Sequence, residues 1–66
     1  MDLEELKAEV KKLSARATQS KMDLHDLSEE LPIGYEGIME QAQKTYDAFK
    51  ILEEKRAELK AAKAAA

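Results

Sequence analysis

The stretch Leu31-Pro32-Ile33-Gly34-Tyr35-Glu36-Gly37 contains the only proline and both glycines of a 66-residue chain. Proline disfavours helical geometry in the residue before it, so a helix that arrives from the amino-terminal side should end near Leu31. Gly34 or Gly37 can supply backbone angles that other residues avoid. These seven residues predict a bend, and the segments on either side decide what the bend joins.

The segment before the bend carries apolar or small residues at alternating steps of three and four, which is typical of a helix with one packed seam. Asp2 followed by Glu5 is a capping-box arrangement, so the helix should begin there. The sequence therefore predicts a first helix over about 2–31. Its seam positions are Leu3, Leu6, Val10, Leu13, Ala17, Ser20, Leu24, Leu27 and Leu31.

The segment after the bend repeats this pattern, with seam positions at Ile38, Ala42, Thr45, Phe49, Leu52, Arg56, Leu59 and Lys63. Apolar character fades after Leu59, and the alanine-rich tail should fray. We predict a loop over about 32–36 and a second helix over about 37–62. A connection this short forces the helices to lie antiparallel. The predicted fold class is all-α, a coiled-coil-like antiparallel two-helix hairpin that spans 1–66 as one unit.

The two seams also predict a register. If Leu31 lies opposite Ile38, Ser20 faces Phe49 and Ala17 faces Leu52, so that large residues meet small ones through the middle of the hairpin.

A hairpin of this size should need a second copy for stability. Ordering the chain costs roughly 1.5 kcal/mol per residue, whereas a lone hairpin buries one stripe on each helix. Cysteine is absent, so no disulfide can help. We predict a homo-oligomer, with a dimer that forms a four-helix bundle as the expected state. The candidate interface residues lie outside the seams and are Ala8, Ala15, Met22, Met39, Tyr46 and Ile51.

The charge distribution points to the bend as a binding surface. The net charge is −3, yet residues 23–43 contain six acidic residues and no Lys or Arg. Such a tip attracts cations or basic protein surfaces, and Tyr35 lies in a loop that can expose it to a partner. We predict an unidentified protein partner, with Met22, His25, Asp26, Glu29 and Tyr35 as the candidate contact residues.

His25 is the only histidine, and Glu29 follows it by one helical turn. These two side chains could form a metal clip that a symmetry-related copy completes. The alternative is an ordinary polar helix residue whose charge is favoured near acidic neighbours. We expect the latter, and predict neither a metal nor a cofactor.

A basic helix face offers a second alternative, a nucleic-acid binder that follows a phosphate backbone. The acidic tip and the net negative charge weigh against it. The residues concerned are Lys7, Lys11, Lys12, Arg16, Lys21, Lys44, Lys50, Lys55, Arg56, Lys60 and Lys63.

Catalysis and membrane insertion are both disfavoured by the sequence. No nucleophile stands beside a base and an orienting acid, and no glycine-rich phosphate loop occurs, so we predict that the protein is not an enzyme. No apolar run approaches the ~20 residues of a membrane span. The acidic start Met1–Glu5 is unlike a signal peptide, and we expect a cytoplasmic protein.

The same residues resemble a known family. The run Lys21-Met22-Asp23-Leu24-His25-Asp26-Leu27 is the most specific part of the likeness, which extends over Leu13–Thr18, Lys21–Pro32, Ala42, Thr45-Tyr46 and Ala48-Phe49. The chain resembles the Rop-like proteins of bacterial nitrogen-fixation gene clusters. That resemblance implies a helical hairpin that oligomerises, and an accessory role in nitrogen fixation. The family takes its name from the fold of an RNA-binding plasmid copy-number protein, which by itself implies no function.

Overall fold

A computed structural model describes residues 2–65 as two long helices joined by a bend. Helix α1 spans Leu3–Glu29 and helix α2 spans Ile38–Ala65, and a short 3-10 helix over Tyr35–Gly37 leads into α2. The two helices lie side by side in a rod about 50 Å long and 14 Å across. The predicted all-α helical hairpin is confirmed.

Helix α1 begins at a side-chain cap. Asp2 has extended backbone angles, and its Oδ1 accepts a hydrogen bond from the backbone N–H of Glu5 at 2.8 Å. Glu4 and Glu5 occupy the first turn, where negative charge interacts favourably with the positive end of the helix dipole. The cap satisfies a backbone donor that the helix itself leaves without a partner.

The helix bounds differ from those predicted from the sequence. Helix α1 ends at Glu29, two residues earlier than expected. Helix α2 continues through Ala65, past the expected end at about residue 62. Alanine is the strongest helix former, so the alanine-rich tail supports the last turns of α2. Lys63 in the last turn interacts favourably with the negative end of the helix dipole.

The register between the helices is shifted by one helical turn from the prediction. The Ser20 carbonyl oxygen lies 3.2 Å from Thr45 Oγ1 and 3.4 Å from Gln41 Nε2. Thr45 therefore lies opposite Ser20, whereas the predicted register placed it opposite Leu24. Extended along the rod, this pairing sets Ala17 against Ala48 and Leu13 against Leu52. Large residues thus face large and small face small, and the predicted volume matching is wrong.

The cause of the shift is the length of the bend. Because the chain uses residues 30–37 to reverse direction, Leu31 cannot form the first layer with Ile38, and its side chain is exposed. Extending the pairing of Ser20 with Thr45 toward the bend places half-buried Leu27 opposite Ile38.

The seam of α2 also differs from the predicted one at several positions along the helix. Positions turned inward follow alternating steps of three and four at Ile38, Gln41, Thr45, Ala48, Leu52, Lys55, Leu59 and Ala62. Arg56 and Lys63 are exposed, so their assignment to the seam is wrong. Lys55 lies inside instead, with its ammonium 3.8 Å from a Glu9 carboxylate on α1 and 3.3 Å from Glu58. Ala42 and Phe49 are half-buried beside the seam.

The tightest packing lies away from the bend. Among the described residues, the buried core consists of Leu6, Ala17 and Leu52. Ala17 is fully inaccessible to solvent. Near the bend, the inward-facing side chains of the described residues are only half-buried, as at Leu24, Leu27 and Ile38.

Candidate functional site

The bend is held by backbone hydrogen bonds. The N–H of Ile33 donates to the Glu30 carbonyl at 3.0 Å, and the N–H of Gly37 donates to the Gly34 carbonyl at 2.9 Å. Gly34 adopts a φ of 78°, a left-handed conformation that glycine adopts without strain. A Cβ at that position would lie 3.2 Å from Leu27 Cδ1, so the turn rests directly on the end of the core. The apex is thus a defined surface rather than a loose connection.

Apolar side chains are exposed on the outer surface of this turn. Ile33 is 74% exposed and Tyr35 is 62% exposed, and Leu31 is exposed beside them. Sequence reasoning identified Tyr35 but missed Ile33. The signal was available, because an isoleucine between Pro32 and Gly34 lies in a loop with no seam to cover it.

Acidic groups surround the apex. Glu30 and Glu36 lie within the turn, and Asp26 and Glu29 precede it on the last turns of α1. Among residues 2–65, the salt bridge Lys44–Glu40 at 3.4 Å is the single one that a Lys or Arg makes with the segment 23–43. The bend therefore combines exposed apolar area with negative potential, a combination suited to a basic protein surface.

The predicted pairing of His25 with Glu29 is present. His25 Nε2 lies 2.8 Å from Glu29 Oε1, and both side chains are largely exposed. Within the described part of the chain, no group of three or more His, Cys, Asp or Glu side chains is arranged to hold a metal ion. One copy of the chain offers two donors at most at this point.

The six predicted interface residues do not lie on one face. The seam divides the surface of the hairpin into two sides, which we call flanks. A groove is lined by Ser14, Thr18 and Met22 of α1 and by Arg56 of α2, so these positions share one flank. Phe49 lies one heptad before Arg56, so it belongs to the same side, and Tyr46 lines a second groove with it. We call this side the Phe49 flank; its members are Ser14, Ala15, Thr18, Met22, Met39, Ala42, Tyr46 and Phe49.

The remaining two interface candidates, Ile51 and Ala8, differ in position. Ile51 directly precedes the seam residue Leu52, which places it on the opposite side, the Ile51 flank. Ala8 lines a groove with Glu9 and Leu13, yet it lies one heptad before Ala15 and therefore on the same face of α1 as Ala15 and Met22. Within the predicted interface set, Ile51 is thus the residue on the other side of the seam.

Several of the basic residues proposed for nucleic-acid binding are engaged by nearby carboxylates. Lys7 lies 3.7 Å from Glu4, and Arg56 lies 3.4 Å from Glu53. Lys55 is drawn between the helices toward Glu9. These pairs reduce the positive potential that a phosphate backbone would meet.

None of the helices described between residues 2 and 65 is long and apolar enough to cross a membrane.

Comparisons with known proteins agree with this architecture. The UPF0437 protein of Azorhizobium caulinodans is 55% identical over 65 residues, which cover 98% of this chain and 94% of the relative. The UPF0437 protein of Trichormus variabilis is 47% identical over 58 residues, covering 88% of this chain and 67% of the relative.

A third relative carries a genomic location in its name. The UPF0437 protein in the nifX-nifW intergenic region of Frankia alni is 55% identical over 40 residues, which cover 61% of this chain and 49% of the relative. No solved structure matches the chain.

The sequence profile of the Rop-like family matches residues 1–64, nearly the full length of both helices and the bend between them. A hairpin of two α-helices with a seam on each agrees with that match. The chain therefore belongs to the Rop-like family.

Proposed function

We propose that this chain is a small oligomeric accessory protein for nitrogen fixation that acts by binding another protein at its bend. The context comes from the Frankia relative, which is encoded between nifX and nifW. The family match supports a helical scaffold of this kind. The bend is the surface on the scaffold whose chemistry suits a protein partner.

The observation that carries the proposal is the exposure of Ile33 and Tyr35 on an ordered turn within an acidic segment. A turn that is already ordered loses little backbone freedom when a partner covers it. An aromatic and an aliphatic anchor can therefore supply affinity, while the carboxylates of Asp26 and Glu29 steer a basic surface toward them. His25 directly precedes Asp26 along α1, and Met22 lies one turn further from the apex.

The experiment is affinity capture from nitrogen-fixing cells with three forms of the full chain. The first is the natural sequence, and the second carries Ile33→Ser and Tyr35→Ser at the apex. The third carries Ile51→Ser, a matched loss of exposed apolar surface on the body of the rod. Far-UV circular dichroism verifies that all three remain helical.

We expect the natural chain and the Ile51 variant to capture the same protein and the apex variant to lose it. The captured protein is then purified and titrated against the natural chain at two salt concentrations, and binding should weaken as salt rises because the bend is acidic. Equal capture by all three forms would contradict a role for the bend. In the same cells, replacing the gene with the apex variant should slow growth on dinitrogen but leave growth on ammonium unchanged.

A further inference from the structure

We propose that the pair His25 and Glu29 makes binding at the bend depend on pH, so that a basic partner binds more tightly when His25 is neutral than when it is protonated. This inference rests on the proposed function, since it takes the bend as the binding surface. It assigns to His25 the control of one negative charge on that surface.

The first step is the geometry of the pair. His25 and Glu29 lie one helical turn apart near the end of α1, and Nε2 of His25 lies 2.8 Å from Oε1 of Glu29. The two side chains are 66% and 68% exposed, so a partner can reach both. With a protonated imidazole this contact is a charge-assisted hydrogen bond that cancels the charge of the carboxylate. A neutral imidazole leaves that charge available to the partner.

The second step is the set of charges that α1 places around His25. Lys21 lies one turn before it, whereas Asp26, Glu29 and Glu30 follow it. The last turn of α1 contains no basic residue, so these three acids lie at the end where the helix dipole is also negative. Because the segment 23–43 has no Lys or Arg, His25 is its one residue that can become positive.

The third step is what faces His25 from the rest of the hairpin. The heptad pattern places His25 on the Phe49 flank, and the α2 residues of that flank nearest the bend are Met39 and Ala42, which carry no charge. Glu40 lies on the other side of the seam and already pairs with a lysine at 3.4 Å. The short 3-10 helix adds Glu36 at the apex. None of these neighbours is a histidine, the side chain that ordinarily changes charge between about pH 5 and 8.

The size of the effect follows from one unit of charge. Asp26, Glu29 and Glu30 together carry −3 beside a neutral His25, and the four side chains carry −2 when His25 is protonated. A basic partner thus loses one attractive group and meets one repulsive neighbour. Exposed ion pairs contribute modestly, so we expect roughly a two- to fivefold change in the dissociation constant.

The test titrates the full chain with a synthetic amphipathic peptide of lysine and leucine, blocked at both ends, at about 0.1 M salt. The peptide contains no histidine or carboxylate, so its charge stays constant between about pH 5.5 and about pH 8. The dissociation constant should be roughly two- to fivefold larger at the lower pH. The apex variant with Ile33→Ser and Tyr35→Ser should bind more weakly at both pH values, which identifies the bend as the site.

Two substitutions isolate the histidine. His25→Gln keeps a polar side chain that stays neutral, and it should bind at both pH values as the natural chain does at about pH 8. His25→Lys is charged throughout, and it should bind weakly at both. The matched control adds Ala8→His to His25→Gln, at an exposed position of the same helix that lies about 25 Å away at 1.5 Å per residue. Because that distance exceeds the Debye length, it should not restore the pH dependence. Circular dichroism verifies that each variant remains helical.

Each contrary result has a separate meaning. The same pH dependence in the natural chain and in His25→Gln would overturn the role of His25 while leaving binding at the bend intact. Restored pH dependence in the Ala8→His control would show that the total charge of the chain, and not the position of the pair, controls binding. A natural chain that does not bind the peptide at either pH, or an apex variant that binds it equally well, would overturn the proposed function and the pH dependence with it.

Discussion

The two ends of the hairpin differ in what they do with their apolar side chains. Between the open end and the middle of the rod, Leu6, Ala17 and Leu52 are buried. At the bend, Ile33 and Tyr35 are exposed on a hydrogen-bonded turn. Similar chemical groups thus hold the helices together at one end and remain available for contact at the other.

The boundary between the two halves is a polar layer. Thr45 Oγ1 lies 3.2 Å from the Ser20 carbonyl and 2.9 Å from the Gln41 carbonyl, and its single proton can serve either acceptor. Polar groups between helices specify the register more than they add to the stability of the hairpin. An alternative register would leave these groups without hydrogen-bond partners. The contrast indicates that side-chain burial is concentrated away from the bend, and it predicts that stability is distributed in the same way. Substitutions in the two halves test this division, and all are compared at one protein concentration because any self-association would shift the apparent stability.

The largest effect is expected from a cavity at the open end. Leu52→Ala removes a side chain that is 3% exposed, and should lower the free energy of unfolding by about 2–5 kcal/mol. Leu31→Ala removes the same atoms from a side chain that is 41% exposed, and should cost less than about 1 kcal/mol. Urea denaturation followed by circular dichroism measures both. Equal losses would show that the bend contributes to the core as much as the open end does.

A smaller loss is expected from overpacking the same region. Ala17 is fully inaccessible, and Ala17→Leu should cost about 1–3 kcal/mol because the helices must separate to admit the larger side chain. Ala57→Leu is the matched control at an exposed position of α2, where the change should be close to neutral since both residues favour helix. Thermal melts of the two variants decide the matter, and an unchanged melting temperature for Ala17→Leu would contradict the close approach of the helices at this layer.

The sequence predicts the hairpin well, because its main determinants are local. Proline and two glycines between two heptad patterns specify two helices and a reversal, and the inward positions of α1 agree with its predicted seam from Leu3 to Leu27. The register was not predictable on the same basis. On α2, steps of three and four fit Ala42 and Phe49 as well as Gln41 and Ala48, and the more apolar pair was preferred. The structure turns Gln41 and Ala48 inward because the length of the bend, which depends on tertiary contacts, sets the first layer.

The candidate site was predictable in chemistry but not in extent. Acidic composition and loop position identified the bend and Tyr35, and helical spacing identified the pair His25 and Glu29, whose side chains meet at 2.8 Å. Ile33 was not among the predicted residues, because the prediction rested on charge and aromatic character and an isoleucine has neither. The interface candidates were chosen as apolar residues outside the seam, a criterion that does not distinguish the two flanks. Flank assignment requires the register, which only the three-dimensional structure supplied.

The smallest effect of the three is expected at the turn that separates the two regions. Gly34→Ala places a Cβ on a residue with φ of 78°, 3.2 Å from Leu27 Cδ1, and should cost about 1–2 kcal/mol through the left-handed conformation alone. Gly37→Ala, three residues further on, meets nothing within 4 Å and should be neutral or slightly stabilising, because alanine restricts the unfolded chain. Urea denaturation compares the pair, and amide hydrogen exchange locates the loss. If the division between the halves holds, Gly34→Ala should speed exchange of the amide hydrogens near the bend far more than those around Leu6 and Leu52. Uniformly faster exchange would instead show that the hairpin unfolds as one cooperative unit, with the apex as much a part of the core as the open end.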